Sequence, residues 1–253
     1  MKKKLTAWLL SLVFVMTLLP ANAALADVPN PTMTLTTARA AGKNLTLSIQ
    51  AANPDDLANV WVDLNGNGTK EMGEDTVGSY KQYTIASPTV TVYGKVTVFN
   101  CQNSELTALD VSENPYLTEL ICSGNQLAAL DVTQNAALTK LECRSNLLTE
   151  LTVTQNAALT RLDTYSNALE ALDLTHNTLL AYLNCSNNNL SGLNVTQNTA
   201  LTTLNCSANP INILNIDSNT LITNLQCANC GLSALDVSNL RPPSPSSTAG
   251  TMP

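Results

Sequence analysis

Three groups of side chains in this sequence could do chemistry. The first is the run Asp63-Leu-Asn65-Gly-Asn67-Gly68-Thr69-Lys-Glu71-Met-Gly-Glu74. It places Asp or Asn at its first, third and fifth positions, Gly at the sixth and Glu at the twelfth, the pattern of a calcium loop. Ca²⁺ takes several hard oxygen ligands on a tight loop; the glycine permits the bend and the last glutamate offers two oxygens. Asp63, Asn65, Asn67, Thr69 and Glu74 are the candidate ligands for a structural Ca²⁺. The flanking residues are strand-like, so a two-helix EF-hand is excluded. A plain hairpin turn also fits, because Asn65-Gly66 and Asn67-Gly68 are strong turn formers.

The second group is the seven cysteines. Cys101, Cys122, Cys143, Cys185, Cys206 and Cys227 fall on one 21-residue spacing, with Thr164 in the remaining slot. Stacked neighbours on such a spacing point the same way about 4.8 Å apart. That is wider than the Cβ separation a disulfide prefers, so packed free thiols are expected. Cys230 completes a C-x-x-C with Cys227, a pattern that can be redox-active. One of its members is a spacing residue, which favours a structural role.

The third group recurs at steps of two and of 21 residues: Lys140, Glu142, Arg144, Arg161, Asp163, Tyr165 and Tyr182. Tyr and Arg are the usual anchors of protein interfaces, and these seven are the candidate ligand-binding residues. The alternative is that opposite charges on adjacent strands pair for solubility. Beyond these groups, the single histidine, His176, sits on a turn. No nucleophile–base pair, paired carboxylates or further metal cluster emerges, so an enzyme is not expected.

The elements that position these groups follow from the period. Seven consecutive 21-residue units run from Val96 to Pro242 without insertion or deletion. The clearest begins Leu117-Thr-Glu-Leu120-Ile-Cys122-Ser-Gly-Asn125-Gln-Leu127, the L-x-x-L-x-C-x-x-N-x-L signature of a leucine-rich repeat. Its second half adds Leu130-Asp-Val132-Thr-Gln-Asn135. Apolar residues two apart give the strand period, so L-x-C and L-x-V each mark a short strand. Twenty-one residues leave little room for helix. The expected fold is a β-rich leucine-rich-repeat solenoid with a parallel concave sheet and short extended segments on the convex side, roughly 35 Å long at one strand spacing per repeat. Two asparagine ladders, Asn125 to Asn209 and Asn114 to Asn219, read as structural: their amides satisfy backbone groups of their own turn and of the next repeat. The row Asp110, Asp131, Asp173 and Asp236 reads as solvated turn residues on the convex side.

Residues 27–95 break this period and alternate instead, as in Asn44-Leu-Thr-Leu-Ser-Ile and Thr89-Val-Thr-Val-Tyr. This predicts a small β-sandwich that caps the open end of the array. Residues 243–253 read as a disordered Pro/Ser-rich tail, with no sorting signal or apolar anchor after the array. At the other end, Lys2, Lys3 and Lys4 precede an apolar stretch and Ala-x-Ala sites, a signal peptide over 1–26. That stretch is short for a membrane anchor. Secretion or cell-surface display is expected, and no transmembrane segment remains in the mature chain. Without those lysines the chain carries nine basic and 19 acidic residues, which excludes phosphate-led nucleic-acid binding.

The repeat unit of 117–135, together with Met33-Thr-Leu-Thr-Thr, Val60-Trp-Val-Asp-Leu-Asn-Gly-Asn-Gly and Val90-Thr-Val-Tyr-Gly, resembles the internalin-like leucine-rich-repeat surface proteins of anaerobic Gram-negative bacteria. The resemblance implies an exported adhesion module, in biofilm formation or host contact, with the repeats as binding surface. A protein ligand on the concave face is the leading reading. A glycan-binding module and a non-binding spacer are the alternatives.

Overall fold

The computed structural model describes residues 31–75 and 77–240. The signal-peptide and tail readings fall outside them. Six elements precede the array: β1 (Thr32–Thr37), β2 (Asn44–Gln50), helix α1 (Pro54–Ala58), β3 (Trp61–Asp63), β4 (Lys81–Thr84) and β5 (Thr89–Tyr93). Alternation builds the strands, as in β1, where Met33, Leu35 and Thr37 are buried and the threonines between them face outward. α1 is one short turn, started by Pro54 and capped by Asn53, whose side chain accepts from the Asp56 N–H.

The array follows with β6 (Val98–Asn100), β7 (Leu106–Asp110), β8 (Glu119–Ile121), β9 (Lys140–Glu142), β10 (Arg161–Asp163), β11 (Tyr182–Asn184), β12 (Thr203–Asn205) and β13 (Asn224–Gln226). All but β7 form the concave parallel sheet, in which Phe99, Leu120, Leu141, Leu162, Leu183, Leu204 and Leu225 stand in register. The fold is a leucine-rich-repeat β-solenoid with a β-sheet cap and almost no helix.

The cap joins the array through both of its sheets. β2 pairs antiparallel with β6 and extends the concave sheet to nine strands, ordered β13-β12-β11-β10-β9-β8-β6-β2-β4. β1 pairs antiparallel with β7 in a four-stranded sheet ordered β3-β5-β1-β7. A strand for every L-x-V was expected; β7 alone of these is a strand. It has β1 beside it as a partner. In the later repeats the turns that lead into these segments meet through single backbone bonds, such as Leu147 N–H to Leu127 O at 2.9 Å, too few for a ladder.

The first asparagine ladder bonds toward the preceding repeat, not the next. The Asn146 amide donates to Cys143 O of its own turn and to Cys122 O one repeat back, while its oxygen accepts from Leu127 N–H. The second ladder bonds backward only: Asn156 donates to Val132 O and Asn135 O. Its six side-chain oxygens, from Asn114 to Asn219, are buried without a partner. A left-handed residue also recurs once per repeat, at Asn103, Gly124, Ser145, Ser166, Asn187, Ala208 and Asn229, with φ from +54° to +68°. This bend directs its N–H forward, as in Ser145 N–H to Tyr165 O at 2.8 Å.

Candidate functional site

The concave sheet brings all seven candidate ligand residues onto three adjacent strands and the turns that follow them. Registers Lys140↔Arg161↔Tyr182 and Glu142↔Asp163↔Asn184 set the rows. Arg161 is the centre. Its Nε donates to Glu142 Oε1 at 2.9 Å, and its guanidinium lies 3.7 Å from the centre of the Tyr182 ring. Lys140 Nζ is 3.4 Å from Glu142 Oε1 and 3.7 Å from Glu119 Oε2. One chain of contacts therefore crosses four strands, from Glu119 to Tyr182. Glu119 was not among the candidates; it stood in the same concave row, and only the reach of Lys140 ties it to the cluster.

A second pair lies alongside. Arg144 Nη1 is 3.5 Å from Asp163 Oδ2, and Asp163 Oδ1 accepts from the Tyr165 N–H at 3.2 Å. The two carboxylates, Glu142 half-buried and Asp163 buried, respond differently. Burial alone would raise Glu142, but the Arg161 bond and the Lys140 and Arg161 charges outweigh it and hold Glu142 below its ordinary range. Burial prevails at Asp163 and lifts it above the ordinary value, against the Tyr165 N–H and Arg144. The charges of the cluster are thus largely spent on one another, as the solubility-pairing alternative anticipates. What remains outward is the side chain of Arg144, 46% exposed, and Tyr165, 40% exposed, beside a pre-positioned Arg161–Tyr182 stack.

The Asp63–Glu74 loop is held by its own backbone. Asp63 accepts from the N–H groups of Gly66 at 2.7 Å and Gly68 at 2.8 Å, and more distantly from Asn65 and Asn67. Glu74 accepts from Leu64 and Glu71 N–H, both at 2.9 Å. The Asn65 and Asn67 oxygens accept from Asn67 and Thr69 N–H, and their amide nitrogens donate to Glu71. Among the described residues no three His, Cys, Asp or Glu side chains are grouped as metal ligands.

The cysteines are unpaired, and all but Cys227 are buried. Burial pushes the ladder thiols up, Cys185 to about 12, which suppresses the reactive thiolate. Cys230 stands where other repeats have the first-ladder asparagine, and its thiol donates to Cys206 O at 3.1 Å. It does the work of an amide. On the convex side, Asp110, Asp131 and Asp173 each accept from the N–H and hydroxyl of the Ser or Thr two residues on, and Asp236 from the Ser238 N–H. These are turn-forming aspartates.

No protein-family model matches the chain, and no curated protein matches it. Solved structures do. The functional domain of InlJ from Listeria monocytogenes, which includes a cysteine ladder, is 37% identical over 56% of this chain, with a TM-score of 0.53. This chain spans 37% of that one. An internalin, InlF, from Listeria monocytogenes is 22% identical, covering 47% of this chain and 36% of its own, with a TM-score of 0.46. A leucine-rich-repeat protein of Leptospira interrogans is also 22% identical, covering 51% and 42%, with a TM-score of 0.44. Among the described residues no helix is long and apolar enough to cross a membrane.

Proposed function

We propose that the chain is a surface or secreted adhesion module that binds a protein through the concave face of its second to fifth repeats. The observation that carries this reading is the ordered Arg161, held between Glu142 and the Tyr182 ring, with Arg144 and Tyr165 exposed beside it. Interface anchors are typically Tyr and Arg, and a side chain already fixed before binding loses little entropy when the partner arrives. The similarity to InlJ, a structure that includes a cysteine ladder, supports a module of this kind.

A neutral glycan is the second reading. It is favoured by the concave positions of the later repeats, where Asn184, Ser186, Thr203, Asn205, Ser207, Asn224 and Gln226 offer only amides and hydroxyls. A binding panel of host matrix proteins, mucins and arrayed glycans separates the readings, run beside Arg161→Ala with Tyr165→Ala. Saturable protein binding that weakens with salt and is lost in the double variant supports the proposal. Glycan binding indifferent to salt supports the alternative. No binding by the folded protein leaves a spacer.

A further inference from the structure

We propose that Asn65 and Asn67 are sites of self-deamidation, and that the Glu71 carboxylate holds the reaction back in the folded loop. Asn65-Gly66 and Asn67-Gly68 are the only two Asn-Gly pairs in the chain. In such a pair the glycine backbone nitrogen attacks Cγ of the asparagine before it. The new N–Cγ bond closes a five-membered succinimide ring, the attacking nitrogen gives up its proton, and the side-chain nitrogen leaves as ammonia. Water then opens the ring at one of its two carbonyls, leaving aspartate or isoaspartate. Water is the only co-reactant. Glycine favours the attack because no Cβ crowds its nitrogen.

The turn requires these glycines. Gly66 and Gly68 have φ of +75° and +71°, a region that strains any residue with Cβ. Gly66, Asn67 and Gly68 are exposed and Asn65 is half-buried, so water reaches both pairs. Two restraints oppose the attack. The first acts on the nucleophiles. Gly66 N–H donates to Asp63 Oδ1 at 2.7 Å and Gly68 N–H to Asp63 Oδ2 at 2.8 Å. The negative charge beside each nitrogen opposes the charge that gathers there as the proton leaves.

The second restraint acts on the side chains under attack. Asn65 Oδ1 accepts from Asn67 N–H at 3.0 Å, and Asn67 Oδ1 from Thr69 N–H at 2.8 Å. Their nitrogens donate to the two oxygens of one carboxylate: Asn65 Nδ2 to Glu71 Oε2 at 3.2 Å and Asn67 Nδ2 to Glu71 Oε1 at 2.7 Å. Both ends of each amide are thus engaged by groups other than the glycine nitrogen that must reach its carbon. Attack needs that carbon turned onto the nitrogen, so the Glu71 bonds must break first. Asp63 shapes the whole loop, whereas the exposed Glu71 carboxylate meets only these two amides among the described residues. Glu71 is therefore the restraint that can be removed alone. Reaction at either asparagine replaces a donor with a second carboxylate facing Glu71, and like charges repel.

The test is peptide mass spectrometry of the full chain aged at neutral pH and body temperature, with EDTA present so that no divalent ion enters the loop. The one-dalton gain and the isoaspartate product are followed at each asparagine. Four samples run in parallel: folded wild type, wild type unfolded in guanidinium chloride, folded Glu71→Ala and folded Met72→Ala. Met72 is fully exposed, so its removal controls for substitution in the same loop. Both asparagines should react in the unfolded chain, and about tenfold more slowly in the folded wild type. Glu71→Ala should recover much of that difference, while Met72→Ala should match the wild type. Asparagines that stay intact in the unfolded chain overturn the proposal, as does a folded wild type that reacts as fast as the unfolded one. A Glu71→Ala rate equal to that of the wild type, or an equal gain in Met72→Ala, removes Glu71 from its role.

Discussion

Glu142 and Asp163 lie side by side on neighbouring strands, yet should answer to pH with opposite sign. Glu142 is held below its ordinary range, so its charge stabilises the fold above the unfolded pKa, and that contribution fades as pH falls through the lowered folded value. Glu142→Gln should cost about 1 kcal/mol at pH 7, modest because Arg161 is partly solvated, and little near pH 3. Asp163 is held above its range, so its ionisation weakens the fold at neutral pH. Asp163→Asn should raise Tm at pH 7, and the gain should vanish on acidification. Thermal melts at both pH values check the pair; a loss of stability for Asp163→Asn at pH 7 would mean that the Arg144 contact outweighs burial. A third residue-scale expectation concerns the left-handed position. Ala208 adopts φ +55°, a region costly for a side chain with Cβ. Ala208→Gly should stabilise by about 0.5 kcal/mol, once the flexibility of glycine in the unfolded chain is subtracted, measurable by urea titration. The sequence conceals this position, because Ser and Ala occupy it as well as Asn and Gly, and only stacking makes the bend obligatory.

At the scale of elements, the ladders were legible because burial repeats their residue type every 21 positions. The direction of the asparagine bonds was not, since spacing alone is symmetric between the repeat before and the repeat after. Asn156→Ala would remove one of the two donors to Val132 O and to Asn135 O, each of which keeps a backbone N–H, and should cost about 1 kcal/mol by chemical denaturation. The loss of the six convex strands was equally invisible: L-x-V spells a strand wherever a partner exists, and β1 supplies one only to β7. The Asp63–Glu74 motif shows a different limit. Its residue types suit both a cation and a self-bonded turn, and calcium binding remains a proposal in which Asp63, Asn65, Asn67, Thr69 and Glu74 exchange N–H donors for the ion. That proposal expects millimolar CaCl₂, the range of extracellular modules, to raise Tm by several degrees, and Asp63→Ala to abolish the rise. An unchanged Tm leaves the turn. The candidate patch was readable as a location, since 21-residue register places its members together; that its charges would be consumed internally depends on side-chain reach, which register does not encode.

For the whole molecule, the cap is fused to the first repeat on two sides, by β2 on β6 and by β1 on β7. Later repeats hold only to their neighbours, through the three-residue strand pairs and the asparagine bonds. The result is mechanical polarity. A tether bearing load at the far end should peel the array one unit at a time from β13 inward. Each step should release about 70 Å of extended chain, from 21 residues at about 3.4 Å each. Single-molecule pulling would record a run of evenly spaced, low-force events followed by one larger rupture, when the doubly anchored cap finally opens.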